Sequence, residues 1–222
     1  MNPYEKRYRD LVANGADAWA GDGYLRAKKQ QECVFDWLNL LQYLPQPGAP
    51  VLELGCGNGA MAAQYLAERG YCVSGVDLSD TAIRWAEKRF QEAELSANFL
   101  VSDVCHLDQW RGARFELIID GSCLHCLIDE ARHLCFAEVR RLLKPGGYFV
   151  ISTMCGTPRY PEDIAAYDPV RHHLLKEGQP CRTLRPLQAL LNEVQEEKFN
   201  MLAIRINNNP WWDHATLVCS VN

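Results

Sequence analysis

A chain of 222 residues is most simply one domain, long enough to bury a sizeable core, and its 48% hydrophobic and 23% charged content is that of an ordinary globular protein. A formal net charge of −5 argues against a broad basic surface for nucleic acid or an anionic membrane. No apolar run reaches bilayer length and residues 1–10 carry no secretory h-region, so the cytoplasm is the expected compartment.

Ten cysteines are scattered along the chain. Cys33, Cys72, Cys135 and Cys219 fall inside predicted elements, where a reduced thiol behaves as a small buried hydrophobe. No disulfide framework is expected.

Taken in order, residues 4–12 fit a short helix. A glycine-punctuated loop follows and carries Trp19 and Tyr24. Residues 25–44 read as a helix, with Val34, Trp37, Leu38 and Leu41 at i, i+3, i+4 and i+7 on one buried stripe. Pro45, Pro47 and Pro50, with Gly48, end it.

Next comes Val51-Leu52-Glu53-Leu54-Gly55-Cys56-Gly57-Asn58-Gly59. An apolar run closes on a carboxylate, three alternate glycines follow, and a helical segment begins. That is a buried strand, a tight turn and a helix start with unpaired N–H groups. Glycines let the backbone turn sharply and approach a ligand closely. Gly55-x-Gly57-x-x-Ala60 also satisfies the dinucleotide fingerprint. Charge separates the two readings. A pyrophosphate would be repelled by Glu53, whereas a cationic or amine-bearing ligand would be attracted.

Gly70 caps the first crossover helix, and residues 71–76 form a second strand ending at Asp77. Ser79 can N-cap a helix whose apolar face is Ile83, Ala86, Phe90 and Ala93. Residues 98–101 form a third strand before Asp103, and residues 115–119 a fourth, closed by Asp120. Residues 129–143 are helical, with Ala131, Leu134, Cys135, Val139 and Leu142 on one side. Lys144-Pro145-Gly146-Gly147 reads as a turn that stops this helix, and residues 148–153 as a fifth strand.

Periodicity is lost over 154–186, a length that suggests a substrate lid with some short helix. His172 and His173 are expected on its solvated surface. Residues 187–194 form a helix, and 199–206 and 216–221 an antiparallel strand pair. Trp211 and Trp212 alternate faces between them, one toward the core and one toward the surface. The chain thus divides into a helical cap (1–48), a ligand-binding core (49–153), a lid (154–186) and a closing helix and hairpin (187–222).

Strands alternating with helices imply an α/β fold, a parallel sheet covered on both faces. Glu53, Asp77, Asp103 and Asp120 then gather at the carboxyl edge, where open α/β sheets bind ligands.

The ordered set resembles class I S-adenosylmethionine-dependent methyltransferases, of the type acting on small molecules, from about residue 48 onward. Glu53-Leu54-Gly55-Cys56-Gly57-Asn58-Gly59 is similar to their motif I. Gly75-Val76-Asp77-Leu78-Ser79, Ser102-Asp103-Val104, the fourth strand ending at Asp120 and the Leu143–Tyr148 turn follow in family order. The resemblance implies a Rossmann-like three-layer sandwich with seven strands in the order 3-2-1-4-5-7-6. It implies S-adenosyl-L-methionine as cofactor, with Glu53, Gly55, Cys56 and Gly57 around the methionine end. Asp77 would meet the ribose hydroxyls, with Leu78 beside it. Asp103 would meet the adenine amino group, with Val104 and Asp120 completing the site. In-line methyl transfer to an oxygen, nitrogen or sulfur of a small molecule is the implied reaction.

Other readings stay open at this point. Asp77 could merely cap the helix at Ser79, and Asp103 could merely form an Asx-turn. His125, after the fourth strand, is either a general base or a residue packed behind its loop. Cys123, in the same loop, is placed at the transfer site. Trp19, Tyr24 and Tyr160 could wall a substrate pocket, or Trp19 and Tyr24 could pin the N-terminal segment to the core. Cys123-x-x-Cys126 with His133 and Cys135 lacks two well-spaced ligand pairs, so no metal is expected. A protein or tRNA acceptor, a nicotinamide-dependent oxidoreductase and a non-catalytic cofactor-binding module are the alternatives.

Overall fold

The apolar run ahead of the glycine turn forms β1 (Pro50–Leu54), in a computed structural model that describes residues 3–112 and 114–221. Its side chains are buried on both faces. Leu52 and Leu54 join one core layer and Val51 the other, as the two-residue period of a strand requires. The flanking strands are β2 (Cys72–Asp77), β3 (Ala97–Val101), β4 (Phe115–Asp120) and β5 (Leu143–Cys155). The chain closes with β9 (Phe199–Asn208) and β10 (Asp213–Val221). The sheet order is β3-β2-β1-β4-β5-β10-β9, and β10 runs antiparallel to both its neighbours. This is the Rossmann-like architecture and strand order that the resemblance implied.

One face of the sheet carries α2 (Tyr24–Leu40), α3 (Ala62–Ala67) and α4 (Asp80–Glu92), which bury Phe35, Leu38, Leu66, Ile83, Ala86 and Phe90. The other carries α5 (Glu130–Leu142) and α7 (Leu187–Glu196), which bury Phe136, Val139, Leu142, Leu190 and Val194. Ser79 caps α4, its Oγ accepting the Ala82 N–H at 3.1 Å. The helix α1 (Pro3–Ala13) packs on α4 through Tyr8, Leu11 and Ala82.

Several expectations are corrected. α2 stops at Leu40, because Gln42 takes a positive φ of 61° and the Tyr43 N–H folds back to the Leu38 carbonyl. Leu41 therefore lies outside the helix at 41% exposure, and Phe35 fills the stripe instead. Leu134 is exposed on α5, and Phe136 takes the buried place. Residues 144–147 do not precede β5 but bulge within it. Leu143 pairs with Phe115 and Tyr148 with Leu117, which leaves Glu116 opposite the bulge. Cys33 and Cys72 are exposed, whereas Cys135 and Cys219 are buried. Cys33 lies on the outer side of α2 and Cys72 at the open start of β2.

The segment beyond β5 has its own regular structure. It holds α6 (Pro161–Ala165) and an antiparallel sheet of β6 (Tyr167–Asp168), β7 (His173–Lys176) and β8 (Gln179–Thr183). Met154, Leu174 and Leu184 form its core, with Tyr167, Cys181 and Trp212 against them. His173 is 1% exposed on the middle strand, with its Nε2 3.2 Å from the Asp129 carboxylate. His172 is half-buried, its Nδ1 3.1 Å from the Tyr167 hydroxyl. The loop expectation therefore holds for His172, which lies in the turn before β7, and fails for His173, because a strand of four residues shows no period long enough to read.

Candidate active site

The glycine turn leaves β1 with Gly55 at φ +65° and Gly57 at φ +55°. A Cβ on Gly55 would lie 2.4 Å from Cys123 Cβ, and one on Gly57 would lie 2.5 Å from the Tyr8 hydroxyl. Backbone conformation and contact thus both demand glycine. The turn is pressed between the loop after β4 and the N-terminal helix α1.

Glu53 lies at the end of β1, 3% exposed. Its Oε2 accepts the Ala63 N–H of α3 at 2.7 Å. The helix start is thus satisfied by a protein carboxylate instead of standing open to a ligand phosphate. Burial pushes the Glu53 carboxyl up to about 8, against the lowering pull of the α3 backbone N–H groups. A carboxyl raised in the fold stabilises fully below its unfolded value of 4.5 and loses that contribution as pH climbs to about 8. We expect the ligand-free protein to lose stability relative to Glu53→Gln between about pH 5 and pH 8. Denaturant midpoints of both proteins across that range check it, and parallel profiles would contradict it.

The other strand-end carboxylates differ in how much capacity remains. Asp77, at the end of β2, is buried, accepting the Gly57 N–H at 3.0 Å and the Ser79 N–H at 2.9 Å. Burial raises its carboxyl, offset by those bonds. Asp77 thus supports the Ser79 cap and lines the cavity at once. Asp103 is exposed and makes an Asx-turn to the Cys105 N–H at 2.9 Å. Asp120 departs from the expectation of a free ligand group. Its Oδ1 accepts the Cys123 and Leu124 N–H groups at 2.7 and 2.9 Å, and its Oδ2 accepts Ser152 N–H at 3.2 Å. Its carboxyl, pushed up to about 6 by burial, is committed to tying the end of β4 to the following loop and to β5.

These groups face one cavity of about 610 Å3, within the range of small-ligand clefts. Glu53, Gly55, Cys56, Gly57, Asp77 and Leu78 line it. So do Asp103, Val104, Asp120, Cys123, His125 and Trp19. Tyr24 and Tyr160 do not. Tyr24 opens α2, and its hydroxyl lies 3.5 Å from the Ala60 carbonyl, so it pins that helix to the core. Tyr160 precedes α6 and is 42% exposed.

Residues that sequence reasoning missed complete the walls. Tyr4 and Tyr8 reach in from α1, Arg182 from β8, Trp211 and Trp212 from the turn between β9 and β10, and His214 from the start of β10. Trp19 packs between Tyr8 and Tyr4, with ring centroids 5.0 and 6.1 Å away. The i, i+4 spacing of Tyr4 and Tyr8 was a usable signal, since it puts both on one helix face. Of the tryptophan pair, Trp212 packs on the Met154, Leu174 and Leu184 core, and both residues contribute to the cavity lining.

The N-terminal segment is tied down over this edge. Glu5 on α1 accepts the Ser79 hydroxyl at 2.6 Å and the Thr81 hydroxyl at 2.6 Å, which holds its carboxyl at about 2. The Asp17 carbonyl accepts Asn58 Nδ2–H at 2.8 Å. Below the loop, Arg132 is 2% exposed and grips Glu193 of α7 through two bonds of 2.6 and 2.7 Å. Its third bond, 2.6 Å to the Leu124 carbonyl, fixes the turn that carries His125. Burial lowers the pKa of His125 well below the ordinary value, with His214, Arg182 and Arg132 adding to the effect. His214 falls to about 4 for the same reason of burial. Both imidazoles are neutral near pH 7. Cys135 is buried in α5 and does not line the cavity, whereas Cys123 and Cys126 do.

Residues 51–147 match the methyltransferase domain family. Over that stretch the chain carries the domain of the class I S-adenosylmethionine-dependent methyltransferases. Over 128 residues it is 34% identical to the 2-heptyl-1-hydroxyquinolin-4(1H)-one methyltransferase of Mycobacteroides abscessus, covering 57% of this chain and 55% of that protein. Over 118 residues it is 32% identical to the ubiquinone biosynthesis O-methyltransferase of Coxiella burnetii, covering 51% and 49%. The chain thus spans about half the length of those curated relatives. Among solved structures, it resembles a 1,6-didemethyltoxoflavin-N1-methyltransferase of Burkholderia thailandensis, described with 1,6-didemethyltoxoflavin and S-adenosylhomocysteine bound. That likeness has a TM-score of 0.70 at 21% identity and covers all of this chain and 92% of the other. At such identity the likeness speaks for the fold.

Proposed function

We propose that the protein transfers a methyl group from S-adenosylmethionine to an oxygen, nitrogen or sulfur of a small molecule. The observation that carries this reading is the pair of buried carboxyl groups at the glycine turn. Glu53 and Asp77 lie buried around it, and Glu53 already occupies the α3 N–H group that a diphosphate would need. Burial leaves the Glu53 carboxyl protonated near pH 7 in the free protein, so a cationic ligand is favoured by drawing out its ionised form, whereas a dinucleotide's diphosphate would find the helix-start N–H group already taken. The residues present therefore fit S-adenosylmethionine. Glu53, Gly55, Cys56 and Gly57 would hold its methionine end, Asp77 and Leu78 its ribose, and Asp103 and Val104 its base. When bound, it supplies an electrophilic methyl group on a sulfonium.

The chain's own residues then have two tasks. Tyr4, Tyr8 and Trp19 from the N-terminal segment and Trp211 and Trp212 from the far side exclude water and orient the acceptor. His125 is the candidate catalytic residue, a neutral imidazole at the cavity wall that accepts a proton from the acceptor. Its lowered pKa makes it a weak base, so orientation carries more of the rate than proton abstraction does. Residues 154–186 serve as a folded wall of the acceptor site through Arg182. No helix among the described residues is long and apolar enough to cross a membrane. We place the reaction in the cytoplasm, without a nucleic-acid or membrane partner. Two relatives named for quinolone and ubiquinone-pathway methylation support a small-molecule acceptor.

The test is release of S-adenosylhomocysteine from S-adenosylmethionine across a panel of small phenols, amines and thiols. Turnover with at least one acceptor is expected. Silence across the panel from protein that binds S-adenosylhomocysteine would favour a non-catalytic module.

A further inference from the structure

The charges lining the cavity are segregated. Its carboxylates are Glu53, Asp77, Asp103 and Asp120, all at the ends of β1 to β4. Lining residues from the N-terminal segment, from the 121–127 loop, from β8 and from 207–216 include no Asp or Glu. That part of the wall is aromatic and neutral polar, apart from Arg182 and Arg26.

Arg182 is the better placed of the two cations. It is half-buried on β8, the strand that packs on the His125 turn, where Thr183 Oγ1 donates to the Leu127 carbonyl at 2.8 Å. One terminal nitrogen, Nη1, donates to the Cys181 carbonyl at 2.7 Å and to the Tyr4 hydroxyl at 3.2 Å. The guanidinium also lies 5.8 Å from the centre of the Tyr4 ring. Among the described residues no carboxylate stands within ion-pair distance of it, although most other arginines near the core have one. A guanidinium held by neutral partners keeps its charge and leaves the rest of its planar fork for a bidentate anion. Arg26, by contrast, is exposed at the start of α2.

We infer that the acceptor is an anionic, ring-bearing small molecule and that Arg182 reads its charge while Tyr4, Trp19, Trp211 and Trp212 flank its ring. The inference rests on the proposed methyltransferase reading and narrows it to a substrate class. Carboxylate and phosphate are both planar or forked acceptors that suit the same guanidinium, so the anion is named by its shared chemistry. His125 and His214 add no competing positive charge, being neutral, and no acidic side chain of that wall repels the ligand.

The probes are benzoate, phenyl phosphate and the neutral isostere benzamide, titrated by saturation-transfer NMR into full-length protein with and without S-adenosylhomocysteine. The protein is compared as parent, Arg182→Gln, Arg182→Lys and Arg26→Gln. Binding of S-adenosylhomocysteine to each is measured first, and its absence from the parent would count against the methyltransferase reading itself. Given that binding, at least one anion should bind the parent about tenfold tighter than benzamide. Arg182→Gln should abolish that preference with S-adenosylhomocysteine affinity unchanged. Arg182→Lys should retain part of it, because the charge stays and the fork is lost. Preference for benzoate or for phenyl phosphate identifies the anion, and either supports the inference. Equal affinity for anion and benzamide, or no detectable binding of either anion, overturns it. So does a preference that survives in Arg182→Gln and disappears in Arg26→Gln.

Discussion

Replacing Glu193 with alanine is expected to destabilise the fold by about 3–5 kcal/mol. The expectation follows from burial. Arg132 is 2% exposed, and Glu193 meets it through two bonds in the layer between α5 and α7. Removing the carboxylate leaves a guanidinium out of water with only the Leu124 carbonyl. Such an uncompensated charge costs far more than the net worth of the pair. Replacing both partners with apolar residues, as in Arg132→Met with Glu193→Leu, should therefore recover most of the loss. Recovery of stability need not recover activity. The same guanidinium anchors the turn that carries His125, so the double variant should fold well and still show reduced kcat with less change in KM for the cofactor. Urea unfolding of the three proteins measures the first part and steady-state kinetics the second. A loss under about 1 kcal/mol for the single variant would show that the site is wetter than its burial implies.

Asp77→Ala carries the second large effect, here on binding. Asp77 lies 8% exposed at the end of β2 and faces the cavity while holding the Gly57 and Ser79 N–H groups. Its loss removes the acceptor assigned to the ribose hydroxyls and releases the glycine turn at the same time. A weakening of S-adenosylhomocysteine binding on the order of 1–3 kcal/mol is expected. That is about 5- to 150-fold in Kd. Asp103→Ala should cost less, because Asp103 is exposed and water can replace it. Titration well below both melting temperatures separates affinity from stability. Parent-like affinity in a folded Asp77→Ala protein would show that the carboxylate serves only the helix cap.

Much of the frame could be read from residues because it rests on local rules. The run Val51 to Leu54 has to be covered on both faces, Ser79 has to cap the helix that begins at Asp80, and the glycines have to turn. Four carboxylates after four successive strands then reach one edge by topology alone. What the spacing does not encode is how a carboxylate spends its lone pairs. Asp120 sits where the pattern puts it, yet its oxygens are taken by the backbone of Cys123, Leu124 and Ser152. The small satellite sheet beyond β5 was harder still. Arg182 and His173 lie on strands of four or five residues in a small satellite sheet, too short for a period to stand out. Tyr4 reaches Arg182 across nearly the whole chain length, and no local signal specifies such a contact. Tyr160 and Tyr24 looked like pocket aromatics by composition, but one belongs to a surface helix start and the other to a helix anchor.

The central claim is that the acidic glycine turn holds S-adenosylmethionine and not a dinucleotide. Isothermal titration of the purified protein with S-adenosylhomocysteine, and separately with NADH and NADPH, tests it most directly. Saturable one-to-one binding of S-adenosylhomocysteine in the micromolar range is expected, with no heat of binding from either nicotinamide. Binding of NADH or NADPH with no response to S-adenosylhomocysteine would contradict it.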